Sequence, residues 1–140
     1  MKVFGGYEVA IELSRTPFGA VYSAKPAGAQ GRPEFLVKTF NPEGLPEDRL
    51  AGDPQIAAFL ERAEVQRKAA QPPSTHWAPI LETGIAPEGA FYVSRFYPSS
   101  AHRLFLGKVR LEAAMLHAIA SGVVEGLDEL KRACGQSHGN

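Results

Sequence analysis

The chain holds 140 residues, 44% of them hydrophobic, with 15 Lys and Arg against 15 Asp and Glu for a formal net charge of zero. That length suits one domain around a single core, and the charge balance leaves no global field to gather a polyanion, which speaks against nucleic-acid binding. The one cysteine, Cys134, excludes an intrachain disulfide, no apolar run reaches a membrane span, and Met1 to Gly6 lacks the apolar core of a signal peptide, so a cytoplasmic protein without membrane contacts is expected.

Val9, Ile11 and Leu13 alternate with Glu8 and Glu12, the period of a half-buried strand over Tyr7 to Leu13. Ala20-Val21-Tyr22-Ser23-Ala24 follows as its hairpin partner, across the loop Ser14 to Gly19. A turn region from Pro26 to Pro33 leads into a third strand, Glu34 to Phe40, closed by Asn41-Pro42, in which Lys38 is the odd residue. Asn41 to Gly52 reads as loop. Asp53 then offers a helix N-cap with Pro54 at the first helical position, an apolar stripe of Ile56, Phe59, Leu60, Ala63 and Val65, and a stop at Gln71-Pro72-Pro73. Strands at Pro79 to Gly84 and Ala90 to Tyr97 flank the turn Ala86-Pro87-Glu88-Gly89.

The last segment carries Leu111, Met115, Ile119, Val123, Leu127, Leu130 and Cys134 at spacings of three or four, one face of a helix of about seven turns. Glycine inside a helix costs about 1 kcal/mol relative to alanine, so Gly122 and Gly126 imply a close neighbour. Such a stripe needs a cover. The helix is expected either to fold back on the sheet or to pair with its copy in a homodimer through Leu111 to Cys134. The fold class expected is α+β: a five-stranded antiparallel sheet with one packed amphipathic helix, followed by a long C-terminal helix.

This order of elements resembles the small lobe of a serine/threonine protein kinase followed by the first long helix of its large lobe. The segment Leu13 to Tyr22 matches the kinase phosphate-loop pattern at Leu13, Phe18, Gly19, Val21 and Tyr22, with Ser14 and Thr16 at the first two glycine positions. Phe35-Leu36-Val37-Lys38 is similar to the Val-Ala-Ile-Lys strand, which implies that Lys38 contacts the α- and β-phosphates of ATP. Phe91 to Tyr97 looks like the fifth strand and hinge, with Ser94 at the back of the adenine pocket and Phe96 in the nucleotide-binding set. Ser137-His138-Gly139-Asn140 looks like the opening of the catalytic loop, with Asn140 where the aspartate would stand. The domain division implied is a small-lobe-like part over 1–98, and a connecting segment with the start of a truncated large lobe over 99–140.

The Asp-Phe-Gly metal site and the activation segment would then lie beyond Asn140, and Asn140 itself cannot take a proton from a substrate hydroxyl. Ser14 and the branched Thr16 hinder the approach of backbone N–H groups to phosphates. The resemblance therefore implies a catalytically inactive, pseudokinase-like domain with a binding or regulatory role, binding ATP and Mg²⁺ weakly or not at all, with no catalytic residue and no bound metal. Glu61 and Glu64 are the candidates for the glutamate that holds Lys38. A different helix register puts Arg62 there, where it would repel the lysine. Two alternatives stand beside this reading: a fragment of an active serine/threonine kinase, and a protein-interaction module without nucleotide chemistry.

Simpler roles exist for the same residues. An isolated strand lysine most often faces solvent, and Glu61 and Glu64 with Arg62, Arg67 and Lys68 can form an ordinary solvated helix face. His76, His102, His117 and His138 lack metal-ligand spacing, Cys134 continues an apolar stripe, and Trp77 is expected to pack under the fourth strand.

Overall fold

The computed structural model describes residues 1–72, 74–107 and 110–135. Alternation and β-branching produce an antiparallel sheet of β1 (Val3–Phe4), β2 (Tyr7–Thr16), β3 (Gly19–Pro26), β4 (Phe35–Phe40), β5 (Ile80–Ala86) and β6 (Gly89–Arg95), in the order β1-β2-β3-β4-β6-β5. The helices are α1 (Glu47–Leu50), α2 (Pro54–Ala69), α3 (Ala101–Leu106) and α4 (Ala113–Cys134). The α+β class and the long C-terminal helix match expectation.

The sheet has six strands and not five, because β1 is only two residues long and too short to show alternation. Its Phe4 is nevertheless fully buried, with ring centroids 5.6 Å from Tyr22 and 5.4 Å from Phe91. The turn after it reaches β5 on the other edge of the sheet, where the Gly6 N–H donates to Glu82 Oε2 at 3.2 Å. One face of the sheet thus closes over Phe4, Tyr22, Val37, Phe91 and Val93. The supposed loop Asn41 to Gly52 contains α1, whose Leu50 is buried with Ile56 and Ala90 on the opposite face.

α2 covers that opposite face. Asp53 caps it, its carboxylate accepting from the N–H groups of Gln55 and Ile56 at 2.9 and 3.0 Å. Phe59 lies between Phe40 and Tyr92, with centroids 5.1 and 5.7 Å away and nearly parallel rings.

α4 packs chiefly on α2 and, through Trp77, on the segment before β5. The helix begins at Ala113, so Leu111, expected to open the stripe, precedes it; residues four apart advance about 40° beyond a full turn, and the apolar line from Met115 to Leu127 winds around the helix. Gly126 and Leu130 are buried against the body, while Met115, Leu116, Val123, Val124 and Leu127 are exposed. The close neighbour that the glycines imply comes from the same chain: a Cβ on Gly126 would lie 3.2 Å from His76 Cβ. Trp77 likewise packs against α4, its Nε1–H donating to Gly126 O at 2.7 Å, which corrects its expected place under the fourth strand. The catalytic-loop resemblance at Ser137 to Asn140 lies outside the described residues.

Candidate functional site

The β2–β3 hairpin and the sheet face beneath it are where the resemblance places a nucleotide. Thr16 pairs with Gly19, so the tip is the two-residue turn Pro17-Phe18. Thr16 Oγ1 accepts from Phe18 N–H at 3.2 Å and donates to Gly19 O at 3.3 Å. Pro17 has no N–H to offer. The amides at the tip are therefore committed within the hairpin.

The tip is also tied down onto the end of β4. Asn41 N–H donates to Phe18 O at 2.8 Å, and Ala20 N–H donates to Thr39 Oγ1 at 2.9 Å. The Thr39 hydroxyl is buried and returns a bond to Ala20 O at 3.2 Å. Gly19 has φ +154°, and a Cβ there would fall 2.1 Å from Thr39 O, so the glycine is required by contact with β4. Arg15, the cation adjoining the tip, bonds the Glu12 carboxylate at 2.9 and 2.5 Å and the Tyr22 hydroxyl at 3.0 Å. That pairing holds Glu12 below the usual carboxylate range.

Facing residues in antiparallel neighbours share a side of the sheet, so the register groups the remaining candidates. Ser14 faces Val21, Val21 faces Lys38, Lys38 faces Tyr92, and Leu36 faces Ser94. Ser14, Val21, Lys38 and Ser94 thus lie on one side. Ser94 is buried, its hydroxyl donating to Arg95 O at 3.4 Å, and Phe96 is half-buried with its N–H on Glu34 O at 2.9 Å. Phe18 is exposed at the tip, and burial pushes the Tyr92 hydroxyl pKa up.

Lys38 is exposed and makes no ion pair among the described residues. The carboxylates expected beside it are elsewhere. Glu64 is held by Arg67 one turn along α2, at 2.7 and 2.9 Å, and that hydrogen bond lowers its pKa. Glu61 and Arg62 are both exposed. α2 sits across β5 and β6, packs against α4, and reaches β4 through the stacking of Phe59 on Phe40. Neither glutamate is joined to Lys38, and Arg62 is not placed against it by any bond or ion pair.

Two groups of functional interest escape sequence reasoning. Thr39 acts on the hairpin from a strand position that reads as ordinary alternation. His76, Trp77, Glu125 and Glu129 meet at α4, for which the only sequence signal is the pair Gly122 and Gly126 inside a helix. Among the described residues no cluster of three His, Cys, Asp or Glu side chains is suited to a metal, and no helix is long and apolar enough to cross a membrane.

No family model matches the chain, and no curated protein matches it. Solved structures do match. The PknI kinase domain of Mycobacterium tuberculosis superposes with a TM-score of 0.63 at 20% identity, over 94% of this chain and 50% of that one. A double mutant of the same domain gives 0.67 at 21%, over 94% and 51%. PpkA in its apo form gives 0.55 at 16%, over 77% and 41%. The fold is that of a kinase small lobe with the helix that follows it. This kinase-like chain spans about half the length of the PknI domains it matches, 50% in the first of them. The likeness extends to the hairpin, the lysine strand, the packed helix and α4, and at this identity it is a likeness of fold.

Proposed function

We propose that the chain is a non-catalytic kinase-like module, a pseudokinase small lobe that acts by binding or regulation, with at most weak affinity for ATP. The observation that carries this reading is the β2–β3 tip. A phosphate cradle needs several backbone N–H groups turned outward, since each binds an anion only if nothing else has taken it. Here Thr16 Oγ1 occupies the Phe18 N–H, Pro17 has none, and Gly19 is pressed on the Thr39 carbonyl. The residues present do not fit a Mg²⁺-ATP triphosphate. Lys38 could offer one positive charge, with no carboxylate paired to it among the described residues.

One observation favours a second reading, half of an active serine/threonine kinase domain: the chain matches 50% of the PknI domain. That reading requires a working nucleotide slot, so one assay separates the two. With 1 mM Mg²⁺-ATP and a dissociation constant near 1 mM, ligand linkage adds about 0.4 kcal/mol, a melting shift of roughly 1 °C. A micromolar site, saturated about a hundredfold, would add about 2.7 kcal/mol and roughly 8 °C. The expected result is a shift near 1 °C or less, the same in Lys38→Ala. A shift of several degrees that Lys38→Ala abolishes would overturn the proposal.

A further inference from the structure

His76 lies in the segment between α2 and β5, and both of its ring nitrogens meet carboxylates. Nε2 is 2.9 Å from Glu125 Oε2 and Nδ1 is 2.9 Å from Glu129 Oε1. The two glutamates stand one turn apart on α4, so the imidazole bridges them along the helix. A neutral imidazole has one N–H and one lone pair, and a lone pair turned toward a carboxylate is repelled. Only the imidazolium, with two N–H donors, satisfies both contacts at once. Between the two glutamates, Gly126 presents its carbonyl to Trp77 Nε1 at 2.7 Å, and the missing Cβ lets His76 approach. Ser74 completes the joint by donating its hydroxyl to Glu129 Oε2 at 2.5 Å.

We propose that His76 is a pH-sensitive latch that fastens the middle of α4 to the sheet-and-helix body. When His76 loses its proton, one of the two carboxylate contacts must open. α4 then stays held near its C-terminal end, where Leu130 is buried and Cys134 Sγ reaches Val65 O at 3.5 Å. A groove of about 470 Å³, lined by His76, Trp77, Ile119, Gly122, Val123 and Leu127, runs along this joint. Movement of α4 about its fixed end changes that groove and the direction of the exposed apolar side chains beside it.

The charged groups at the joint come from α4: Glu125 and Glu129 on His76, and Arg132 on Glu129. Among the described residues α2 brings no charge to His76, and its Gln66 amide donates to Ala78 O at 2.9 Å. The hydrogen bond to Glu129 raises the His76 pKa above its ordinary 6.5, against the opposing effect of desolvation. The stabilisation is therefore complete below 6.5 and is lost as pH rises through the raised value. Glu129, lowered by its bonds from Ser74 and His76, contributes above its ordinary 4.5 and is lost as pH falls through its own value. The latch is at full strength between those two limits.

Trp77 is the single tryptophan of the chain, so its fluorescence reports this joint alone. Imidazolium quenches a neighbouring indole, and emission of the whole chain is followed from about pH 5.5 to about pH 8.5, where histidine titrates. The expected trace is one rise in emission with a midpoint above 6.5, absent in His76→Gln and moved downward in Glu125→Gln, whose side chain is 62% exposed and not needed for the core. A flat trace, or a transition that persists in folded His76→Gln, overturns the proposal. If His76→Gln does not fold, the midpoint in Glu125→Gln decides: unchanged, the latch is refuted. Circular dichroism at both pH limits separates opening of the latch from global unfolding.

Discussion

Gly19→Ala separates two reasons for a glycine at the hairpin. A glycine kept for a ligand can be replaced with little loss of stability. One kept for the fold cannot. At φ +154° an alanine carries strain of roughly 1–3 kcal/mol. Its Cβ would stand 2.1 Å from Thr39 O, 2.7 Å from Thr39 C and 3.1 Å from Phe40 Cα, all backbone atoms that cannot rotate away. Overpacking of that kind costs a further 1–3 kcal/mol or so, which sets a loss of about 4 kcal/mol as the working value. The control is Gly28→Ala, where φ is +76° but nothing lies within 4 Å, so only the roughly 1–2 kcal/mol of left-handed strain applies. In urea, with a slope near 2 kcal/mol per molar, Gly19→Ala should lower the midpoint by about 2 M and the control by less than about 1 M. Equal midpoints for the two variants would refute the claim that Gly19 serves the β4 contact.

Two further substitutions test the packing. Phe4→Ala removes a fully buried ring stacked on Tyr22 and tilted against Phe91, so it should cost about 3–5 kcal/mol and lower the melting temperature by roughly 10 °C; a loss under about 1 kcal/mol would mean that β1 is not part of the core. Val123→Asp, at a side chain 58% exposed, should leave the melting temperature within about 2 °C, and a drop above about 5 °C would show that this face of α4 is covered in solution.

The parts legible in the sequence are those governed by neighbours along the chain. Asp53-Pro54 starts α2 because the cap bonds are to the next two or three residues, and Pro72 stops it because a proline cannot continue the ladder. The hairpins β2–β3 and β5–β6 follow from alternation across a turn. What escaped depends on residues far apart. The place of Phe4 is set by Tyr22, Phe91 and the Glu82 contact beyond them, none of which marks a two-residue strand. The buried face of α4 is chosen by His76 and Trp77, so the apolar periodicity named a wider stripe than the body covers. Which residues of α2 turn toward the sheet depends on a rotation of about 100° per residue, which no composition specifies.

At the candidate site the hairpin satisfies the polar groups of its own tip within the fold. Ser14 and Thr16 stand where the kinase phosphate-loop pattern has glycine, and Thr16 acts there as a hydrogen-bonding group as well as a branched side chain. The Thr16 hydroxyl accepts from the Phe18 N–H, so that amide is satisfied within the hairpin. A donor already bonded has to be released before it can bind phosphate, and the net gain from exchanging one partner for another is small. The same threonine also donates to Gly19 O, which braces the tip in the shape that presses Gly19 on Thr39. The departure at Lys38 is independent of this one. Glu64 is engaged by Arg67 on its own helix, and nothing at the tip alters that pair. A glycine at position 16 would free one amide, yet Pro17 would still offer none and Lys38 would still make no ion pair among the described residues. Under the proposed reading the two features are independent, so a triphosphate would meet their costs additively, while the core around Phe4, Tyr22 and Val37 lies on the other side of the sheet.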